Sequence, residues 1–319
     1  MVELVDAYKA NKGFGTSISR LMGKGGDALS DQDRHSIKTV IASAYDYSAA
    51  QPQEFWNWGL WSDELHRELV ALIPNYASLE SGGCSEQMYY YVLKQLGRHT
   101  APKKPREILE IGCGSGPGLN FLSRIESQSR FVGVDISARM IDRAIVRYSR
   151  PGKLEYRHGD AESLPFPDNA FDAVINIESS HNYPNLGRFF DEVARVLRPG
   201  GYLSLIDIYT DERMRIMQRC IAEGHGLNWL GETDASELVK ASIQRRMRPG
   251  SEFAASLDRN LPVYFRPIGK PLVKIMFGKF FASDEATRAR MMRYMGLTAG
   301  LRIVTEMNTY RHFLAQKPA

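Results

Sequence analysis

Short apolar runs alternate with segments whose apolar residues recur at helical spacing. Arg106-Glu107-Ile108-Leu109, Phe131-Val132-Gly133-Val134-Asp135, Leu154-Glu155-Tyr156, Phe171 to Ile177 and Tyr202 to Ile206 have the length and composition of buried strands. Between them, Leu119 to Ile125, Ala138 to Tyr148 and Leu186 to Leu197 place their apolar residues on one helical face. Ser137 stands where it caps the second of these helices. Strands alternating with helices predict a parallel sheet with helices on both faces. Further helices are predicted over Ser36 to Tyr47, Glu86 to Leu96 (capped by Ser85) and Asp211 to Glu223. Further strands are predicted over Leu227 to Leu230 and Tyr310 to Ala315.

The pattern turns on Glu110-Ile111-Gly112-Cys113-Gly114-Ser115-Gly116-Pro117-Gly118, a glycine-rich stretch between the first strand of the alternating series and its helix. Turns at the carboxyl end of a parallel strand are where open α/β sheets bind ligands. Gly112, Gly114 and Gly116 remove side chains so that a ligand can approach the backbone, and Pro117 suits the first turn of the helix. The dinucleotide fingerprint fails in both registers, because Pro117 or Leu119 stands where its third glycine or alanine belongs. A carboxylate at Glu110 repels phosphates and suits an ammonium group. S-adenosylmethionine combines an ammonium, a ribose and an adenine with no phosphate. Asp135, 19 residues beyond Gly116, ends the next strand, where a carboxylate accepts hydrogen bonds from both ribose hydroxyls. Asp160, in His158-Gly159-Asp160-Ala161-Glu162, is placed to accept from the adenine amino group.

These residues resemble the class I S-adenosylmethionine-dependent methyltransferases over roughly residues 105–235. The likeness rests on E-x-G-C-G-x-G, on Asp135, on G-D-A-E-x-L-P-F from Gly159 and on L-R-P-G-G at 197–201. It implies a Rossmann-like, doubly wound α/β sheet of seven strands whose last strand inserts antiparallel. It also adds Cys113, Ile136, Ala161, Glu162 and Asn176 to the cofactor-binding residues. The stretch Asn176 to Pro184 resembles small-molecule O- and C-methyltransferases of lipid and polyketide pathways, and within them the phthiotriol-type glycolipid enzymes.

Composition narrows the class further. With 43% hydrophobic and 24% charged residues the chain can build a core, and its net charge of +4 does not by itself point to nucleic acid. Cys84, Cys113 and Cys220 match no zinc spacing, and no His or acid pair has ligand spacing, so no metal is expected. Three cysteines suit a reducing interior. The first residues lack a signal pattern and no run has the length of a membrane span, so a cytoplasmic enzyme is expected.

Four segments are expected. Residues 1–104 form a helical flap and linker, 105–235 the cofactor-binding core, 236–305 a helical cap and 306–319 the final strand. The flap contains Phe55-Trp56-Asn57-Trp58-Gly59-Leu60-Trp61, whose aromatic residues are costly to leave in water. Residues 237–302 hold 13 Lys and Arg against five Asp and Glu, interleaved with apolar pairs such as Phe280-Phe281. Such a segment fits a cap over an apolar pocket with solvated charges, and leaves peripheral membrane contact open.

Methyl transfer to a hydroxyl requires the oxygen to lose its proton. His181, beyond the fourth strand, is the candidate general base, and Glu178 either orients it or lies beneath the cofactor. The expected activity is methylation of a small, hydrophobic, hydroxylated molecule. Two alternatives remain: a cofactor-binding protein that transfers no methyl, such as a cyclase or binding subunit, and an RNA methyltransferase. The absence of an Asp/Asn-Pro-Pro-aromatic motif after Ile177 disfavours nucleic acid. Oligomeric state is not legible.

Overall fold

The structure is a computed structural model that describes residues 16–18, 20, 21, 29–49, 57–78, 81–99, 105–251, 255 and 309–319. Phe55, Trp56 and nearly all of the predicted cap beyond Ser251 lie outside the described residues.

Among the described residues before the sheet are the helices α1 (Asp31–Ser48), α2 (Asp63–Leu72) and α3 (Cys84–His99). Then β1 (Glu107–Ile111), α4 (Pro117–Ile125), β2 (Arg130–Asp135), α5 (Ala138–Tyr148) and β3 (Leu154–His158) alternate. They are followed by β4 (Phe171–Ile177), α6 (Leu186–Val196), β5 (Leu197–Tyr209), α7 (Asp211–Glu223), β6 (Asn228–Asp234), α8 (Ser236–Arg246) and β7 (Thr309–Gln316).

The seven strands run in the order β3-β2-β1-β4-β5-β7-β6. β1 pairs in parallel with both β2 and β4, whereas β7 runs antiparallel between β5 and β6. The chain winds outward from β1 to β3 and then returns to place β4 on the other side of β1. That reversal opens a crevice at the carboxyl ends of β1 and β4. The central strands are buried on both faces, which is why they read as continuous apolar runs rather than alternating ones. Two apolar layers flank the sheet. Leu119, Leu122 and Ile141 belong to one, with Met88 and Val92 of α3; Phe189, Phe190 and Val193 of α6 belong to the other.

Local chemistry moved several boundaries from where periodicity put them. α1 begins five residues before Ser36, because Ser30 accepts the Asp33 N–H as its cap. Ser85 does not cap α3: it lies inside the helix, and the Ser81 hydroxyl accepts the Ser85 N–H instead. The sixth strand is displaced to Asn228–Asp234, mostly polar and held by pairing with β7. α8 occupies the start of the predicted cap. Among the described residues no helix is long and apolar enough to cross a membrane.

Candidate active site

A cleft opens where β1, β2 and β4 end. Its floor is Ile111 to Ser115 with Pro117, one flank is Val134, Asp135, Ile136 and Gly159 to Glu162, and the other is Ile177 to Ser179 with Asn182 and Tyr183. Lys38, Ile41 and Tyr45 of α1 and Asn57 of the flap complete it.

The glycine turn makes this cleft possible. Gly112 has φ +79, and a Cβ there would meet the Ser179 hydroxyl oxygen at 1.9 Å. Gly114 has φ +53, and a Cβ there would meet nothing within 4 Å, because it would project into open space. One glycine therefore permits close packing of β1 against the β4 loop, and the other leaves room for a ligand. Gly116 serves neither wall of the cleft; it is the left-handed residue from which α4 starts, with Pro117 in the first turn.

Asp135 is positioned by the same turn. Its two oxygens accept the backbone N–H groups of Gly114 at 2.8 Å and Ser137 at 2.9 Å. Burial pushes its carboxyl above the usual range against the pull of these two bonds. Each oxygen keeps a second lone pair for a ligand hydroxyl. Next to it, Asp160 accepts the Glu162 N–H at 2.9 Å and faces the Lys38 ammonium at 2.7 Å. Lys38 also pairs with Glu162 at 2.7 Å, so α1 is tied across this end of the cleft by one cation between two carboxylates. Lys38, Ile41 and Tyr45 stand three and four residues apart, the spacing of one helical face, and that signal was present in the sequence. Replacing Lys38 by Met is expected to lower stability by about 1–3 kcal/mol, since Glu162 would stay buried without its cation; thermal melting measures this.

Several predicted residues lie behind the cleft rather than in it. The Glu110 side chain is fully buried and accepts the Tyr89 hydroxyl at 2.8 Å, while Tyr89 itself lines the cleft. Burial pushes the Glu110 carboxyl up to about 8, with the Asp135 charge adding to the rise. Tyr89 thus stands between Glu110 and the cleft, and the carboxyl braces that wall. The folded chain holds this proton up to about pH 8, and an unfolded carboxyl releases it near 4.5, so stability falls as pH rises across that window. Glu110→Gln is expected to flatten that fall, seen as a smaller drop in melting temperature between about pH 5 and about pH 9 than in the parent. Asn176 is likewise internal: its amide donates to the Ile111 carbonyl at 2.8 Å and to the Tyr183 hydroxyl at 2.9 Å, tying β4 to β1.

At the β4 end, Ser180–Asn182 forms a single 3-10 turn built on Asp207 of β5. The buried Asp207 carboxylate accepts from Ser180 Oγ at 2.5 Å, His181 N at 2.9 Å and His181 Nδ1 at 2.7 Å. Burial alone would raise this carboxyl, but the His181 charge and these hydrogen bonds outweigh it and hold it below the usual range. Arg213, buried in α7, donates to the carbonyls of Ser180 at 2.7 Å and Tyr183 at 2.8 Å. His181 does not line the cleft: Asn182 stands between, its amide 3.1 Å from His181 Nε2. Glu178 does line it, in the left-handed backbone region (φ +46), and accepts the Trp58 N–H at 3.0 Å. It therefore anchors the flap, and Asp207 rather than Glu178 orients His181.

Comparisons with known proteins agree with this architecture. A family profile described as "Methyltransferase domain" matches residues 109–205. The phthiotriol/phenolphthiotriol dimycocerosates methyltransferase of Mycobacterium leprae (strain TN) is 36% identical over 222 residues, 69% of this chain and 76% of that one. The fatty-acid O-methyltransferase of Mycolicibacterium smegmatis (strain ATCC 700084 / mc(2)155) is 43% identical over 143 residues, 45% of this chain and 48% of that one. Among solved structures, the geranyl diphosphate C-methyltransferase of Streptomyces coelicolor A3(2) matches with a TM-score of 0.56 and 16% identity over 88% of this chain and 97% of that one. The cyclase SpnF matches with a TM-score of 0.57 and 18% identity over 88% and 96%. The solved structures share the Rossmann-like sheet. The chain belongs to the S-adenosylmethionine-dependent methyltransferase family that includes the phthiotriol/phenolphthiotriol dimycocerosates methyltransferases.

Proposed function

We propose that this cleft binds S-adenosylmethionine and that the protein transfers its methyl group to an oxygen of a small, hydrophobic, lipid-type molecule. The observation that carries the cofactor assignment is Asp135, its carboxylate oriented by Gly114 and Ser137 beside a turn that Gly114 leaves open. Gly112, Cys113 and Gly114 would pass beneath the amino-acid portion, Asp135 and Ile136 would hold the ribose, and Asp160 and Ala161 would flank the adenine. With β2 and β3 on one side of β1 and β4 on the other, a cofactor held in this order would turn its reacting end toward Glu178, Asn182 and the flap. The cofactor, when bound, supplies an electrophilic methyl on a sulfonium.

The protein's own contribution is placement, exclusion of water and removal of a proton. α1 and the flap cover the cleft through Lys38, Tyr45 and Asn57. His181 is the proposed proton acceptor. Asp207 takes the Nδ1 hydrogen, which leaves Nε2 as the basic nitrogen. In the bound state the Asn182 amide stays on Nε2; only in the transfer step does it swing aside, and Nε2 then receives the proton of the acceptor oxygen.

The names of two relatives support the acceptor class, since one acts on phthiotriol and phenolphthiotriol dimycocerosates and the other on fatty acids. The test is transfer of labelled methyl from S-adenosylmethionine into the organic phase with long-chain alcohols, phenols and fatty acids. Labelled lipid is the expected result. Cofactor binding with no labelled product from any of them would leave a binding protein rather than an enzyme.

A further inference from the structure

Among the buried polar atoms of the described residues, two amide oxygens stand out by position: Asn57 Oδ1 and Asn182 Oδ1. Both are without a hydrogen-bond partner, both side chains are at least nine-tenths buried, and both residues line the cleft at its β4 end. A buried acceptor left unpaired costs about 1–3 kcal/mol, so two facing one cavity point to a donor that arrives with a ligand.

With His181 neutral, the Asn182 oxygen has one favoured direction. Its amide nitrogen donates to His181 Nε2 at 3.1 Å and to the Tyr45 hydroxyl at 3.2 Å. Turning the amide over would set its oxygen against the Nε2 lone pair. That lone pair is itself fixed, because the buried Asp207 carboxylate takes the hydrogen of Nδ1 at 2.7 Å. Asp207 thus sets the tautomer of His181, the tautomer sets the Asn182 amide, and the amide presents an oxygen to the cleft. The charged groups of the lining do not favour an anion at this end either. Glu178 offers a carboxyl, and Lys38, the one cation among the described lining residues, is held at the other end by Asp160 and Glu162. Arg246 stands behind the flap, where it donates to the carbonyls of Asn57 and Trp58.

We infer that Asn182 is a specificity-determining residue: its side-chain oxygen accepts a hydrogen bond from the hydroxyl of an alcohol or phenol acceptor and turns away a free carboxylate. A hydroxyl brings the missing hydrogen. A carboxylate brings only lone pairs to an end of the cleft already lined by oxygen. This rests on the methyl-transfer reading and deepens it, since the relatives' names cover both hydroxylated lipids and fatty acids.

The experiment measures equilibrium binding by calorimetry, with saturating S-adenosylhomocysteine, for a matched pair of probes, dodecanol and dodecanoate. The parent protein is expected to prefer dodecanol. Asn182→Leu is expected to lose about tenfold in dodecanol affinity and to change little for dodecanoate. Equal or tighter binding of dodecanoate by the parent overturns the inference, whatever the variant does. So does an Asn182→Leu protein that melts like the parent, keeps its dodecanol affinity and instead loses affinity for S-adenosylhomocysteine, because the oxygen then serves the cofactor. Failure of the underlying reading is separate: both probes bind as expected, yet neither accepts a labelled methyl.

Discussion

Asp135→Ala is expected to weaken S-adenosylmethionine binding by about 100-fold or more while the protein stays folded. The carboxylate has spent one lone pair of each oxygen on Gly114 and Ser137, and the remaining pairs face the cleft. Two hydrogen bonds to a charged acceptor are each worth about 1.5–3 kcal/mol, and their joint loss corresponds to at least two powers of ten in affinity. The loss should fall on the adenosyl portion, so S-adenosylhomocysteine should weaken as much as S-adenosylmethionine. Calorimetric titration of both ligands checks this. A change under about threefold would place the ribose elsewhere. Asp135→Asn separates charge from geometry, since an asparagine oxygen can still receive one N–H while its amide opposes the other.

Asp207→Asn is expected to cut turnover about 100-fold and to leave S-adenosylhomocysteine affinity within about twofold, because Asp207 acts on His181 and never reaches the cleft. The size is conserved, so the loop Ser180–Asn182 keeps much of its support. The amide nitrogen, however, now faces a donor, either the Ser180 hydroxyl or the Nδ1 hydrogen of His181. Nδ1 can then become the acceptor, Nε2 carries the hydrogen, and the basic nitrogen points away from the reacting end. Steady-state kinetics and binding on the same preparation distinguish this from a loss of fold. The parent carboxyl is held below its usual range, so its support of the loop is complete above the unfolded carboxylate range and is lost only as pH falls through that lowered value. The Asn variant should therefore show a shallower loss of stability in acid than the parent does.

The core of the fold was legible because its central strands are buried on both faces. Val132, Val134, Val174 and Ile175 form runs that only a covered sheet can accommodate. The antiparallel insertion of β7 was not a matter of pattern; it came from family likeness. β6 was displaced because its residues are polar and its position is dictated by the β7 ladder rather than by burial. Ser85 has the residue type and place of a cap just before Glu86, but the linear order does not show that Ser81, four residues earlier, accepts the Ser85 N–H.

The site was legible in part, for a different reason. Asp135 and the glycines announce themselves by backbone geometry and strand ends, which leave marks in linear order. Asp207 orienting His181 brings together residues 26 positions apart on different elements, and Lys38 meets Asp160 across 122 positions. No local period encodes such pairs. Glu110 shows the converse limit. Its position near the end of β1 is legible from the apolar run, but whether such a side chain points into the crevice or under it depends on α3, whose Tyr89 fills the space between.

One titration decides whether an adenosyl amino acid, rather than a dinucleotide, occupies the crevice at β1. Calorimetry with S-adenosylhomocysteine is expected to give a saturable isotherm with one site per chain, abolished in Asp135→Ala, and a reduced pyridine dinucleotide is expected to give no heat of binding. No heat with S-adenosylmethionine or S-adenosylhomocysteine, together with saturation by the dinucleotide, would contradict it.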